Sequence, residues 1–142
     1  MQRIKASAPV EELRRSCNSK LSASKTLCKA GRYIECIYLG GYAFEILLKV
    51  YITKKLGLDE MPDCFKTHHL ESLVFVAGLE GEVKKDPDLK AHFKDVNTCW
   101  NESIRYEDPR KHGKATARRF MNALLHRRKG LIPWLKDQEK KL

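Results

Sequence analysis

The sequence predicts an all-α fold, an up-and-down bundle of four to five helices followed by a short C-terminal helix. Three observations predict it. Apolar residues recur at steps of three and four, no useful length alternates with period two, and glycine or proline stands where helices should end. With 142 residues, the chain is long enough for one domain (1–142) with a sizeable core and too short for two ordinary ones.

The first predicted helix covers about residues 9 to 30. Its apolar residues recur mostly at three- and four-residue steps, as Val10, Leu13 and Cys17 illustrate. Gly31 is its natural C-terminal cap, because glycine adopts the left-handed conformation that ends many helices.

The second predicted helix covers about residues 32 to 56, ends before Gly57 and is apolar on almost all sides. Such a helix is normally buried by several partners, so we expect it at the centre of the bundle. We also expect the 36 to 52 region to lie at or near the interface of a homodimer. Glu45 and Lys49 stand four residues apart within this helix and can form an ion pair on one face.

Gly40 and Gly41 interrupt the second helix. Each costs roughly 1 kcal/mol relative to alanine inside a helix. A close crossing by another helix is the simplest compensation, so we predict that a neighbouring element packs directly on this pair.

Two further helices are predicted in the middle of the chain. The third has Thr67 as its N-cap and ends at Gly78. The fourth has Asp86 as its N-cap and Pro87 at its first position. It should end near Tyr106, because the segment that follows contains proline and glycine.

The last long helix is predicted over about residues 114 to 130. A turn at Gly130 then leads into the short C-terminal helix, whose Trp134 should pack back on the bundle. His68 and His69 are interpreted as polar residues at a helix start, since adjacent positions point about 100° apart and cannot both bind one metal ion.

The five cysteines predict no disulfide framework and no zinc knuckle. Their number is odd and no two are closer than eight residues, so buried free thiols are the expectation. Neither a cofactor nor a metal site is expected. Charges interrupt every long apolar run and no secretory leader is recognisable, which favours a cytoplasmic protein without a membrane span.

Positive charge is concentrated at the C-terminal end. The formal net charge is +10, and the segment from Arg110 onward has eleven Lys and Arg against two acids. A basic surface attracts phosphate polyanions and acidic partners, so Arg118, Arg127 and Arg128 are predicted binding residues. The alternative is a basic helix that serves solubility alone.

Five segments of the sequence form a recognisable series. They are Gly-Arg-Tyr at 31–33, Ile-Tyr-Leu-Gly-Gly-Tyr-Ala-Phe-Glu-Ile-Leu-Leu-Lys at 37–49, His-Leu-Glu-Ser-Leu at 69–73, Trp100 with Ile-Arg-Tyr at 104–106, and Gly-Leu-Ile-Pro-Trp-Leu at 130–135. In this order they resemble a HEPN domain (higher eukaryotes and prokaryotes nucleotide-binding domain), and the resemblance covers nearly the whole chain.

The resemblance implies a helical bundle that usually dimerises. Many members are metal-independent ribonucleases, and others bind RNA, a nucleotide or a protein, often beside a nucleotidyltransferase. Glu45 matches the polar residue that the family tends to carry in its second helix, although pairing with Lys49 is an equally good explanation of that residue. Defence or toxin-antitoxin systems are the implied setting.

Two segments match the Arg-x6-His spacing of the ribonucleases. The preferred pair is Arg105 and His112, and the secondary pair is Arg119 and His126. Histidine can move the 2′-hydroxyl proton while arginine offsets charge on the phosphate, which would leave a 2′,3′-cyclic phosphate. The secondary pair also fits a solvated face of the last helix.

The preferred pair departs from the family pattern in two respects. Tyr106 follows the arginine where a small polar or charged residue is usual, and Pro109 and Gly113 place His112 in a turn. Arg105 is also explained by a structural hydrogen bond or salt bridge to Glu102 or Glu107. The first hypothesis is therefore a binding module, in which Glu45, Lys49 and Tyr106 join the basic residues, and the second is an endoribonuclease.

Overall fold

Residues 6–142 are described in a computed structural model, which confirms the all-α helical bundle. Short 3₁₀ segments cover Asp63–Phe65, Glu102–Tyr106 and Pro109–Lys111. The described residues form the helices α1 (Val10–Lys29), α2 (Tyr33–Lys55), α3 (Leu70–Val76), α4 (Glu80–Lys85), α5 (Pro87–Cys99), α6 (Lys114–Leu125) and α7 (Leu131–Lys140), and the strands β1 (Ala6–Pro9) and β2 (Glu60–Pro62).

The first two helices form an antiparallel pair whose ends match the prediction. Gly31 has a φ of +77°, and the Arg32 amide donates to the Leu27 carbonyl oxygen at 2.9 Å. Gly57, with a φ of +69°, closes α2 in the same way. Both helices end where glycine can take the left-handed conformation.

Helix α2 is the core of the bundle. It is buried along almost its whole length, with Ile37, Phe44 and Leu48 inaccessible to solvent, and α1, α3, α6 and α7 pack against it. Its apolar character is therefore accounted for within one chain and does not by itself require a second copy. The homodimer remains a prediction.

Helix α2 also has the length and composition of a membrane-spanning segment. Within the fold, 83% of its most apolar 18-residue window is buried inside the protein. The central helix of a bundle has the same length and composition, so this property does not decide where the protein resides.

The glycine pair of α2 lies at two close crossings, as predicted. A Cβ atom at Gly41 would overlap the Trp100 indole ring. A Cβ at Gly40 would lie 3.0 Å from Ser24 Oγ and 3.1 Å from the Phe120 and Leu124 side chains. Absence of a side chain lets α1 and α6 approach α2 on one side and the segment after α5 approach it on the other.

The predicted start of the third helix is wrong by a few residues. His69, rather than Thr67, is the N-cap, and its ring accepts a hydrogen bond from the Ser72 amide at 3.3 Å. A further short helix, α4, follows Gly78 and was not predicted. Asp86 caps α5 as predicted, accepting from the amides of Asp88 and Leu89.

Helices α5 and α6 are both shorter than predicted. Helix α5 ends at Cys99, because Trp100 is extended (φ −118°, ψ 131°), and Glu102–Tyr106 forms a 3₁₀ segment. Helix α6 ends at Leu125, and a turn separates it from α7. Trp134 is half-buried against the core, as expected.

A two-stranded antiparallel sheet, which the sequence did not predict, closes one end of the bundle. Strand β1 pairs with β2, with Ala8 opposite Met61 and Pro9 opposite Glu60. The five cysteines are free thiols as predicted, but only Cys17 and Cys36 are buried. Cys28 and Cys99 are partly buried, and Cys64 is exposed.

Helix α7 returns to the start of the chain through an ion cluster. The buried Glu139 carboxylate accepts from the Arg14 guanidinium and lies 3.1 Å from Lys54 Nζ. Leu131, Leu135 and their neighbours on α7 also complete the core beside α2. The two ends of the described chain are therefore joined by both charge and apolar packing.

Candidate ligand-binding surface around Arg105

The N-terminal half of α2, the loop before α3 and the 3₁₀ segment Glu102–Tyr106 meet on one side of the bundle. Tyr38 and Tyr42 come from α2, and His68 comes from the loop. The 3₁₀ segment lies against α2 because Ile104 is fully buried beneath it and Asn101 caps its first turn by accepting from the Ser103 amide. Its Arg105 is therefore held at the surface.

A buried carboxylate orients His68. Glu45 Oε1 lies 2.7 Å from His68 Nδ1, and the Glu45 side chain is 1% exposed, whereas that of His68 is 35% exposed. The opposite ring nitrogen, Nε2, lies 3.2 Å from Oε2 of the exposed Glu102. A partly exposed imidazole is thus fixed from behind by one buried carboxylate and faces a second, exposed one.

Lys49 is the other partner of Glu45, as predicted. Its Nζ lies 3.7 Å from Glu45 Oε2, which accepts no hydrogen bond within residues 6–142, and both side chains are buried. Burial raises the pKa of Glu45 above its ordinary value, against the opposing effects of Lys49 and His68. Both predicted binding residues therefore lie behind the surface, where they can position His68 without touching a ligand.

Tyr42 connects His68 to the aromatic residues of α2. Its ring meets those of Tyr38, His68 and Trp100 edge to face, with centroids 5.6, 5.8 and 6.0 Å away. Burial, followed by the charge of Glu45, raises the pKa of its phenol. Packed in this way, the rings form a rigid support, since each is held by at least one perpendicular neighbour.

Arg105 is the exposed cation of this surface. Its guanidinium lies 4.8 Å from the centroid of the Tyr106 ring, which is 77% exposed. Interaction with the neighbouring Tyr38 side chain raises the pKa of Arg105 above its ordinary value. The structural ion pair with Glu102 or Glu107 considered from the sequence is not formed among the described residues.

His112, the predicted partner of Arg105, lies in the turn after the 3₁₀ segment Pro109–Lys111, as expected. Its side chain is 15% exposed, and Nε2 is 3.1 Å from Glu107 Oε2. The predicted pair thus sits on two successive turns against α2, with the histidine largely covered.

The secondary pair lies on the solvent side of α6. Arg119 and His126 are exposed, whereas Phe120 and Leu124 on the opposite side are fully buried. The Nδ1 atom of His126 accepts from the amides of Arg128 and Lys129 at 3.3 Å, so this ring caps the turn after α6. These contacts agree with the solvated-face interpretation.

The predicted basic residues Arg118, Arg127 and Arg128 are all exposed. Arg118 belongs to α6 and the other two belong to the turn that follows it. Lys129 in the same turn is held by Asp86, which lowers the pKa of that carboxyl group. The side chains of the three arginines are available for long-range attraction of a polyanion.

His68 is the residue that sequence reasoning missed. It lies 23 positions from Glu45 and next to a helix cap, so spacing gave no sign of their contact. An available signal was the acid in the apolar middle of α2, because a buried carboxylate needs a partner to offset its desolvation. Within residues 6–142, no group of three His, Cys, Asp or Glu side chains is arranged to hold a metal ion.

Comparisons with protein-family models, with curated proteins and with solved structures find no match for this chain. The fold and the geometry around Arg105 therefore carry the functional argument, and the HEPN resemblance enters it only as a proposal.

Proposed function

We propose that this chain is a HEPN-like module that binds single-stranded RNA through the surface around Arg105. The observation that carries the proposal is the exposed Arg105 guanidinium stacked beside the exposed Tyr106 ring. Arginine contacts phosphate oxygens with several donors, and an exposed ring stacks on a base.

The surroundings of Arg105 suit this role. Its position over the Tyr106 ring limits its freedom before any ligand arrives, which lowers the entropy cost of binding. The basic residues Arg118, Arg127 and Arg128 add attraction for a polyanion without base preference. Binding in a homodimer cleft, beside a nucleotidyltransferase or another protein in a defence or toxin-antitoxin system, belongs to the same proposal.

The test is fluorescence anisotropy with a labelled single-stranded RNA of mixed sequence. The RNA is long enough to span the 3₁₀ segment Glu102–Tyr106 and the residues on either side of it. We expect Tyr106→Ala and Arg105→Ala each to weaken binding by about tenfold, since a stacked base contributes roughly 1–3 kcal/mol. Arg110→Ala is the matched control, because Arg110 is an exposed arginine of the neighbouring turn that pairs with Asp108. Equal affinity of all three variants would contradict the proposal.

The second candidate is a metal-independent endoribonuclease, and the Glu45–His68 contact favours it. Glu45 holds Nδ1 of His68, and Nε2 lies 3.2 Å from the exposed Glu102, so a substrate that displaces Glu102 would let Nε2 accept or donate a proton. His68 then takes the role that the sequence gave to His112, with Arg105 offsetting the charge on the phosphate.

A cleavage assay on mixed RNA in EDTA, with analysis of product ends, separates the candidates. Catalysis predicts cyclic phosphate ends, loss of activity in Arg105→Ala and His68→Ala, and retained activity in His112→Ala. Loss with His112→Ala or His126→Ala alone would assign the chemistry to one of the Arg-x6-His pairs. Binding without cleavage leaves the binding module.

A further inference from the structure

An open groove of about 990 Å³ lies between α3, α4 and α5 and shares no residue with the surface around Arg105. Phe75 and Val76 on α3 are 69% and 48% exposed, and Phe93 on α5 is half-buried. Adjacent large apolar residues at this exposure are unusual unless another molecule covers them. The groove therefore has an apolar floor that its own chain leaves uncovered.

The charge at the edge of the groove is positive on balance, because three lysines (Lys84, Lys90 and Lys94) stand against two glutamates (Glu71 and Glu80). Lys90 and Lys94 stand four residues apart along one wall, and neither has an ion-pair partner within residues 6–142. Glu80 is paired, since it lies 2.6 Å from Lys84 Nζ. Glu71 accepts from the neutral Asn97 side chain at 2.8 Å and keeps its charge.

We propose that this groove binds an amphipathic helix with an acidic polar face, supplied by a partner protein. Such a helix places apolar residues at i, i+3, i+4 and i+7 on Phe75, Val76 and Phe93, while carboxylates beside them reach Lys90 and Lys94. The α5 residues that line the groove run from Lys90 to Thr98, about 13 Å at 1.5 Å per residue, which accommodates roughly two to three helical turns.

Charge and apolarity select this occupant over two others. A second copy docked by the same face about a two-fold axis would bring Lys90 and Lys94 near their equivalents on a chain of net charge +10. A nucleic acid would satisfy the lysines but would set Val76 and Phe75 against phosphate and sugar. An acidic amphipathic helix satisfies both features together.

The test uses two synthetic helical peptides of about four turns. They share one Leu/Phe stripe, and their polar faces carry Glu in one and Lys in the other. We expect the Glu peptide to bind the full chain by calorimetry and the Lys peptide to bind at least about tenfold more weakly, because only the former complements the lysines. Binding of the Glu peptide should also weaken as salt is raised.

Variants locate the contact. The double variant Lys90→Glu/Lys94→Glu should bind the Glu peptide about tenfold or more weakly than the parent chain. The control Lys25→Glu/Lys29→Glu makes the same charge change on the exposed face of α1 and should have a small effect on the affinity. Phe75→Ser should abolish binding and Leu56→Ser, at another exposed apolar residue, should not.

Three results would overturn the proposal. The first is no binding of the Glu peptide at millimolar concentration. The second is equal binding of the two peptides, which indicates unspecific apolar adhesion. The third is loss of a homodimer in Phe75→Ser by light scattering, which assigns the groove to a second copy of this chain.

Discussion

The indole of Trp100 lies directly on Gly41, in the space that any other residue of α2 would fill with its side chain. The Trp100 ring is also fixed in direction, since its Nε1 donates to the Tyr38 carbonyl oxygen at 2.9 Å. Because Trp100 immediately precedes the 3₁₀ segment that carries Arg105, this contact sets the distance between that segment and α2. Gly41 thus helps to position Arg105, although Gly41 does not itself belong to the candidate surface.

We predict that Gly41→Ala destabilises the protein although alanine favours a helix. Overpacking typically costs about 1–3 kcal/mol, which exceeds the roughly 1 kcal/mol gained from helix propensity. Gly81→Ala in α4 is the matched control. A Cβ there meets nothing within 4 Å, so the free energy of unfolding in urea should increase. Destabilisation by both changes to the same extent would contradict the packing explanation.

Glu45 should make stability depend on pH. Burial raises its pKa in the folded protein, so folding favours the protonated form. The stabilisation this provides is fully present below the unfolded pKa, near 4.5, and is lost as pH rises through the folded pKa. Glu45→Gln resembles the protonated form, so its stability relative to the parent should improve as pH rises above 4.5.

This comparison is best made in a His68→Asn background, so that the change at position 45 does not also remove a contact with the imidazole. Lys49 is present in both proteins, so they differ only in the Glu45 carboxyl group. Urea unfolding of the pair at several pH values gives the difference directly. A difference that stays constant with pH would show that the carboxyl group titrates alike in the folded and unfolded states.

Glu139 should be the most sensitive acid of α7. It is 7% exposed and holds Arg14 and Lys54, so Glu139→Gln leaves two cations without their shared partner. We expect a loss of about 2–4 kcal/mol in the free energy of unfolding, near the range for removing one member of a buried pair. Asp137→Asn, at an exposed acid 3.7 Å from Lys140, should change stability by less than about 1 kcal/mol.

RNA affinity should fall steeply with salt if the basic C-terminal residues contribute to binding. Each neutralised phosphate releases counterions, so the slope of log affinity against log salt reports the number of contacts. Charge reversal at Arg118, Arg127 and Arg128 should flatten this slope, and the effect should depend little on the RNA sequence. Tyr106→Ala should weaken binding and leave the slope unchanged. Affinity that is insensitive to salt would instead indicate a protein partner.

The helix pattern could be predicted wherever apolar spacing and a terminal glycine agreed, as at Gly31 and Gly57. It failed where apolar spacing continued beyond the helix. Ile104 follows Trp100 at a helical interval, yet Trp100 is extended and Ile104 lies in a 3₁₀ segment. Both side chains are buried all the same, because tertiary contact with α2 outweighs local periodicity. The short strands β1 and β2 have too few residues to show alternation.

The candidate site was only partly predictable for a different reason. Arg105 and Tyr106 stood out through the resemblance, and Glu45 through its isolation in an apolar helix. His68 meets Glu45 only because α3 folds back on α2, a contact between distant positions that no local pattern encodes. Nor could the sequence show that Lys49 and Glu45 lie beneath the surface.

The contact between Arg14 and Glu139 joins positions 125 residues apart, which has a consequence for folding during synthesis. Translation releases α1 and α2 long before α7, so the side of α2 that Leu131 and Leu135 cover stays open to water meanwhile. Closing so long a loop costs little more than closing one half its length, because the entropy grows only logarithmically. The rate of translation therefore sets the delay between the release of α2 and its coverage by α7. A chaperone has its longest opportunity to bind the nascent chain during this delay.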